Sequence, residues 1–207
     1  MKKYIFLLIL VITVSCNAQK NLLMLPEIDN KFEKFDSIKL NNSFKESLDV
    51  FRGFLSNGNY IEITISKTGK YYLETFKDSY YMISKSFYSN GNIKRKGIGF
   101  NGDAFQKGIW YEFDENGNLI KETDYDRPYK FKFEDILQFC EKHKIKIDKG
   151  PILQSTGWHN KIFREIKNNQ PMWKIEYLKK SDLVEIIKLD GATGKILGTS
   201  TYKYINN

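Results

Sequence analysis

The residues of this chain best able to do chemistry lie close together near position 140. Cys140-Glu141-Lys142-His143 places a thiol and an imidazole three residues apart, the spacing of neighbours on one helix face. A thiolate activated by an adjacent imidazole is a nucleophile. No third group in the local sequence orients the pair, and Cys140 falls on the apolar side of the helix, where a buried inert thiol is expected. A structural zinc site needs four ligands, and the only other histidine is the distant His159. Asp114-Glu115-Asn116-Gly117-Asn118 opens like a calcium loop. However, Gly117 falls at loop position 4, Leu119 at position 6 and Tyr125 at position 12, so the required glycine and the closing bidentate acid are both missing. Asp124 and Asp126 read as solvated carboxylates. No phosphate-binding or dinucleotide glycine motif and no nucleophile elbow occurs. The expectation is a chain with no catalytic residues, no metal and no cofactor. An enzyme built on Cys140 and His143 is a distant alternative.

The elements around these residues carry a clearer signal. Three related turns recur, Ser56-Asn57-Gly58-Asn59, Ser89-Asn90-Gly91-Asn92 and Asn116-Gly117-Asn118. Asn-Gly between alternating apolar and polar residues marks a β-hairpin, here predicted as two-residue type I′ turns with positive φ at Gly91 and Gly117. Ile109, Tyr111 and Phe113 alternate with Trp110 and Glu112, and the run from Leu119 to Tyr125 alternates similarly. Upstream, Tyr60 to Ile65, Lys70 to Phe76 and Ser79 to Tyr88 read as further strands. Their tyrosines and phenylalanines are expected to cover the sheet and pair across strands. Gly97 and Gly99 mark a bulge or a close backbone approach, and Asn101-Gly102-Asp103 adds a turn. Recurrence at this period indicates repeated hairpin units.

The pattern Tyr88-x-Asn90-Gly91-x-Ile93-Lys94, then Gly108-x-Trp110-Tyr111-x-Phe113-x-x-x-Gly117-x-Leu119 and Tyr125, resembles MORN-type repeats, and more narrowly the bacterial MORN-repeat antitoxins. The resemblance spans roughly residues 78–128. It implies a hairpin meander and an interaction role, with Trp110 and Tyr111 as a possible partner surface. The antitoxin label implies no chemistry.

After a boundary near Asp126-Arg127-Pro128, Phe133, Ile136, Leu137 and Cys140 predict an amphipathic helix over about 132–143. Glu134 and Asp135 in its first turn and Lys142, His143 and Lys144 in its last suit the helix dipole. Asn160 is expected to cap a short second helix carrying Ile162, Phe163 and Ile166. Three strands follow over Met172–Tyr177, Leu183–Leu189 and Ile196–Tyr204. Trp173-x-Ile175 with Leu189-Asp190-Gly191-Ala192-Thr193-Gly194-Lys195-Ile196-Leu197 is similar to the PepSY-type domain, a small module of exported bacterial proteins. The likeness, over about 131–204, implies by analogy a role in binding or restraining peptidases.

The first residues read as an export signal: Lys2 and Lys3, then a short apolar core from Ile5 to Val14. Val14-Ser15-Cys16 resembles a lipobox, which makes Cys16 a lipid anchor; the alternative is ordinary cleavage between Ala18 and Gln19, giving a secreted protein. The favoured lipoprotein reading leaves Cys140 as the one free thiol of the mature chain, which excludes an intramolecular disulfide. Between signal and sheet, residues 22–26 either pack on the sheet or trail as a linker. Lys31 to Ser37 fits a short helix, and Ser43 to Leu55 fits either helix or strand.

Over 207 residues the chain is 41% hydrophobic and 15% aromatic, enough for a packed core. Its formal charge of +8 includes Lys2 and Lys3, and the remaining bases are interspersed with acids rather than gathered on one element. That argues against nucleic-acid binding. The reading is an α+β protein: signal peptide 1–15, tether and packing segment 16–56, antiparallel repeat sheet 57–128, and a small helix-plus-antiparallel-sheet module 129–207. The function expected is a non-catalytic interaction module of the bacterial envelope. It would reach the membrane through its N-terminal lipid and bind an unknown envelope protein. An immunity or antitoxin-like role, or peptidase restraint, is the alternative.

Overall fold

A computed structural model describes residues 25–36, 45–47, 50–101, 105–153 and 157–205. The signal segment, Cys16, Gly102 and Asp103 lie outside these residues.

The architecture is α+β. Strands β1 (Lys45–Ser47), β2 (Val50–Phe54), β3 (Tyr60–Ser66), β4 (Gly69–Thr75), β5 (Tyr81–Tyr88), β6 (Ile93–Phe100), β7 (Gln106–Phe113) and β8 (Leu119–Asp124) form one antiparallel meander, each paired with its sequence neighbour. Helix α1 (Phe133–Lys142) follows, then a second antiparallel sheet of β9 (Lys161–Lys167), β10 (Gln170–Lys180), β11 (Leu183–Asp190) and β12 (Ile196–Lys203), again in meander order.

The repeated turns close differently from the two-residue type I′ expectation. Gly58, Gly91 and Gly117 take φ of +85°, +86° and +90°, while Asn57, Asn90 and Asn116 keep negative φ. In each turn the glycine N–H bonds the carbonyl three residues back, from Gly58 to Leu55, Gly91 to Tyr88 and Gly117 to Asp114. The N–H of that same residue then bonds the carbonyl of Asn59, Asn92 or Asn118. This is a three-residue loop, a type I turn closed by a glycine bulge. The asparagine serves through its side chain: the amide oxygens of Asn57 and Asn90 accept the N–H of Asn59 and Asn92 at 3.0 and 2.9 Å. The third turn substitutes Asp114, whose carboxylate accepts from the N–H groups of Asn116 and Asn118 at 2.9 and 2.8 Å.

A pair of positive-φ residues does occur at Asn168 and Asn169, between β9 and β10, where φ is 51° and 60°. That hairpin replaces the second helix expected after Asn160. Ile162 is buried in the strand beside Ile175, and the Asn160 side chain accepts from the Leu178 N–H at 2.9 Å instead of capping a helix. Residues 31–36 are likewise extended rather than helical, and within the 43–55 stretch Lys45–Ser47 and Val50–Phe54 are strands.

Helix α1 forms where its apolar stripe requires. Phe133, Ile136 and Cys140 are buried, and the Asp135 carboxylate accepts the Lys132 N–H at 2.7 Å. The helix ends with Lys144 at φ 58° and the Ile145 N–H bonded to the Cys140 carbonyl, a left-handed cap made without glycine. Phe133 then touches the rings of Tyr81, Phe100, Phe105 and Trp173, with centroids 5.2–6.3 Å apart. One buried cluster therefore runs from the first sheet through α1 into the second sheet.

Candidate interaction surface

The first sheet presents two faces, and a strap formed by residues 25–36 crosses one of them. Lys34 bridges Asn92, the Phe35 N–H bonds the Gly91 carbonyl at 2.8 Å, and the Ile93 N–H bonds the Glu33 carbonyl at 3.0 Å. Phe35 lies edge-on to Phe87, 5.3 Å between centroids, beside buried Ile93 and Phe113. Lys85 and Lys96 are register partners on β5 and β6, so their side chains share this face. Lys96 is fully buried. Its ammonium meets Asp29 Oδ1 at 3.1 Å, the Lys31 carbonyl at 2.7 Å and Glu33 Oε1 at 2.6 Å. Lys85 takes the other Glu33 oxygen. Burial pushes the Glu33 carboxyl up, but its bonds to the two lysines outweigh that and hold it below the usual range. Asp29 is held low chiefly by its bond to Lys96.

Beside the strap lies a cleft of about 670 Å³ whose walls include Leu25, Pro26, Ile83, Ile98, Ile109 and Tyr111. Leu25 and Ile109 remain 46% and 45% exposed, so apolar surface faces water here. Tyr111 is half-buried and lines this cleft.

Trp110 points to the opposite face, and only 6% of it is exposed, so it does not form partner surface as expected. Alternation along β7 sets it opposite Tyr111, and its burial follows from Gly97, which lies beside the irregularity in the β6–β7 pairing. The indole lies on Gly97, where a Cβ would come within 2.2 Å of the ring, and its Nε1–H donates to the Ile98 carbonyl at 2.9 Å. The Arg95 guanidinium sits 4.5 Å from the ring centroid. Of the two expectations for Gly97, the pairing irregularity between Lys96 and Ile98 fits the bulge, whereas what approaches closely is the Trp110 side chain and not another backbone.

At the far end of the strap-bearing face, charges join the two sheets. Lys107 Nζ lies 3.1 Å from both Asp126 Oδ2 and Glu134 Oε1. Arg164 reaches across from β9 to Asp126 Oδ1 at 2.7 Å, the Gln106 carbonyl at 3.0 Å and the Tyr125 carbonyl. Its guanidinium lies 4.3 Å from the Tyr129 ring centroid and 5.1 Å from those of Phe105 and Trp173. Burial raises the Asp126 carboxyl, but Lys107 and Arg164 outweigh it and hold it low. Asp126 is thus a half-buried junction residue rather than a solvated one. Asp124 is exposed and accepts the Asp126 N–H at 2.9 Å. Neither Lys107 nor Arg164 stands out in the sequence, since each looks like one more surface base.

The chemical pair near 140 is not brought together. Cys140 is 1% exposed, and burial pushes its thiol up to about 12. His143 lies outside on the helix cap, stacked on Phe139 at 4.2 Å. His159 pairs instead with Asp148, at 2.9 Å. The Asp114 oxygens that suggested calcium are engaged by their own turn. Gly191 and Gly194 lie in the β11–β12 turn, where Asp190 Oδ1 accepts the N–H groups of Ala192 and Thr193 at 3.0 and 2.7 Å.

Comparison with known families finds a match to the MORN repeat variant over residues 81–98 and 106–127, the segments forming β5 with most of β6 and β7 with β8. No curated protein and no solved structure matches the chain.

Proposed function

We propose that this chain is a non-catalytic, protein-binding module of the bacterial envelope, exported and held at a membrane through lipid on Cys16. MORN repeats are typically interaction modules. The observation that carries the reading is the position of the strap-side cleft: its floor is the matched repeat itself, and it exposes Ile109 beside apolar Leu25, with half-buried Tyr111 in its wall. Apolar surface with an aromatic wall, edged by the charges of Glu27, Asp29, Glu33 and Lys85, suits a protein partner. The thiol supports the same reading, since a group titrating near 12 is uncharged at neutral pH and makes a poor nucleophile. The PepSY-like likeness rests on the Asp190–Lys195 hairpin and remains an analogy.

Affinity capture from envelope extract, with the mature protein as bait, tests the binding role. A discrete envelope protein is expected, and its recovery should fall in an Ile109→Asp variant. A toxin or a peptidase in that position would select immunity or peptidase restraint as the specific role. Recovery no greater than with an untagged control would contradict binding. Intact mass tests the anchor: acyl mass on Cys16 is expected, and an unmodified chain beginning at Gln19 would contradict it.

A further inference from the structure

Lys96 is built around the strap. A lysine ammonium has three protons, and the three acceptors around this one, from Asp29, Lys31 and Glu33, all belong to residues 25–36. Lys85 on the next strand meets the strap's Glu33 as well. The pattern extends along the face. Lys107 on β7, opposite Ile98, meets carboxylates from Asp126 and Glu134, both beyond the sheet. On this face the sheet supplies the lysine and a crossing segment supplies the acid. The strap itself is lightly held by backbone: Phe35 to Gly91 and Ile93 to Glu33 are its hydrogen bonds to the sheet ladder. Leu25 and Phe32 stand about half exposed along it. A segment with few backbone bonds and little burial opens at a fraction of the free energy of global unfolding.

We propose that the strap is a built-in ligand occupying a peptide site, and that an extended acidic segment of a partner protein competes with it for Lys85 and Lys96. The segment carries two carboxylates four residues apart, as Asp29 and Glu33 are, followed by an aromatic side chain at the Phe35 position. This deepens the protein-binding reading above and rests on it. Tethering gives the strap a high effective concentration, so the intact chain is self-inhibited and a free peptide must compete with it. Charge-assisted hydrogen bonds from two partly desolvated lysines supply the specificity.

The test uses the full chain with a protease-cleavage sequence inserted within residues 37–44. Cutting leaves the strap in place but free to exchange. A fluorescent peptide with the sequence of residues 25–36 is then titrated by polarisation. The cut protein is expected to bind it at least about tenfold more tightly than the uncut protein. Asn and Gln in place of Asp29 and Glu33 in the peptide should weaken binding by about tenfold or more. Lys96→Met in the cut protein should do the same, and Lys85→Gln serves if Lys96→Met does not fold. A second peptide, keeping the two carboxylates and the aromatic on an otherwise Ala/Thr background, should still bind.

Equal binding by cut and uncut protein, or binding indifferent to these charges, would overturn the proposal. So would failure of the second peptide, or loss of the fold once the strap leaves. Preference of the cut protein for anionic phospholipid vesicles over peptide would also overturn it, by assigning the lysines to a membrane. The labelled peptide needs no natural partner, so this test can fail while envelope capture succeeds, and the reverse.

Discussion

The Lys96 ammonium and the Glu33 carboxylate lie 2.6 Å apart although 63 positions separate them in the chain. That contact closes the strap onto the repeat sheet. Removing either side has unequal consequences. Glu33→Ala leaves a fully buried cation short of an acceptor and strips Lys85 of its partner, so a cost of about 1.5–3 kcal/mol is expected. Lys96→Met removes the buried charge and leaves carboxylates that face water, and costs less. Urea denaturation of both variants checks the order; equal costs or the reverse order would contradict it.

Stability should fall on the acid side. Glu33 and Asp126 both have folded-state values below the ordinary carboxylate range. The unfolded chain therefore binds their protons first as pH drops. Their contribution is complete above about pH 5 and is lost as pH falls through the lowered folded values. A Glu33→Gln, Asp126→Asn double variant should start less stable and show a flatter acid limb in thermal melts. The Cys140 thiol has the opposite sign. Its value is raised to about 12, so its contribution is complete below about pH 8.5 and lost as pH rises toward 12. Cys140→Ala should soften that alkaline decline.

Gly97 and Trp110 should behave as one unit. Gly97→Ala places a methyl group 2.2 Å from the indole and is expected to cost about 1–3 kcal/mol. In a Trp110→Leu background the same change should cost much less. A double-mutant cycle measures the coupling, and simple additivity would show that the ring does not hold the glycine.

Arg164 ties the second sheet to the first. Arg164→Lys keeps the charge, yet one ammonium cannot reach Asp126, the Gln106 carbonyl and the Tyr125 carbonyl while stacking on Tyr129. A loss of about 1–3 kcal/mol is expected, from carbonyls left without a donor. Calorimetry of the parent should show one unfolding transition, because a single buried cluster crosses both sheets; two separated transitions would contradict that coupling.

The hairpin meander was legible because its signals are local. Asn-Gly dipeptides and period-two alternation sit within a few residues of the bonds they make, although the loops proved to have three residues. β9 was not legible. Ile162, Phe163 and Ile166 fit a helix stripe as well as a strand, and Asn168-Asn169 lacks the glycine that flags a tight hairpin. The strap and the junction were hidden for a different reason. In Lys94-Arg95-Lys96 three adjacent bases look alike, and only partners far away in sequence decide that Lys94 is exposed while Lys96 is fully buried. Trp110 and Tyr111 stand together in the sequence, but the period of two along β7 sends them to opposite faces, and the space left by Gly97 lets the indole be buried.

The proposed binding role is tested most directly by site-specific photocrosslinking in cells that produce the protein. A photoreactive side chain at Ile109, on the strap-side cleft, is compared with one at Tyr71, which is 56% exposed on the opposite face. A discrete protein adduct from position 109, absent from position 71, is the predicted result. No adduct at 109, or the same adducts from both positions, would contradict a protein-binding surface there.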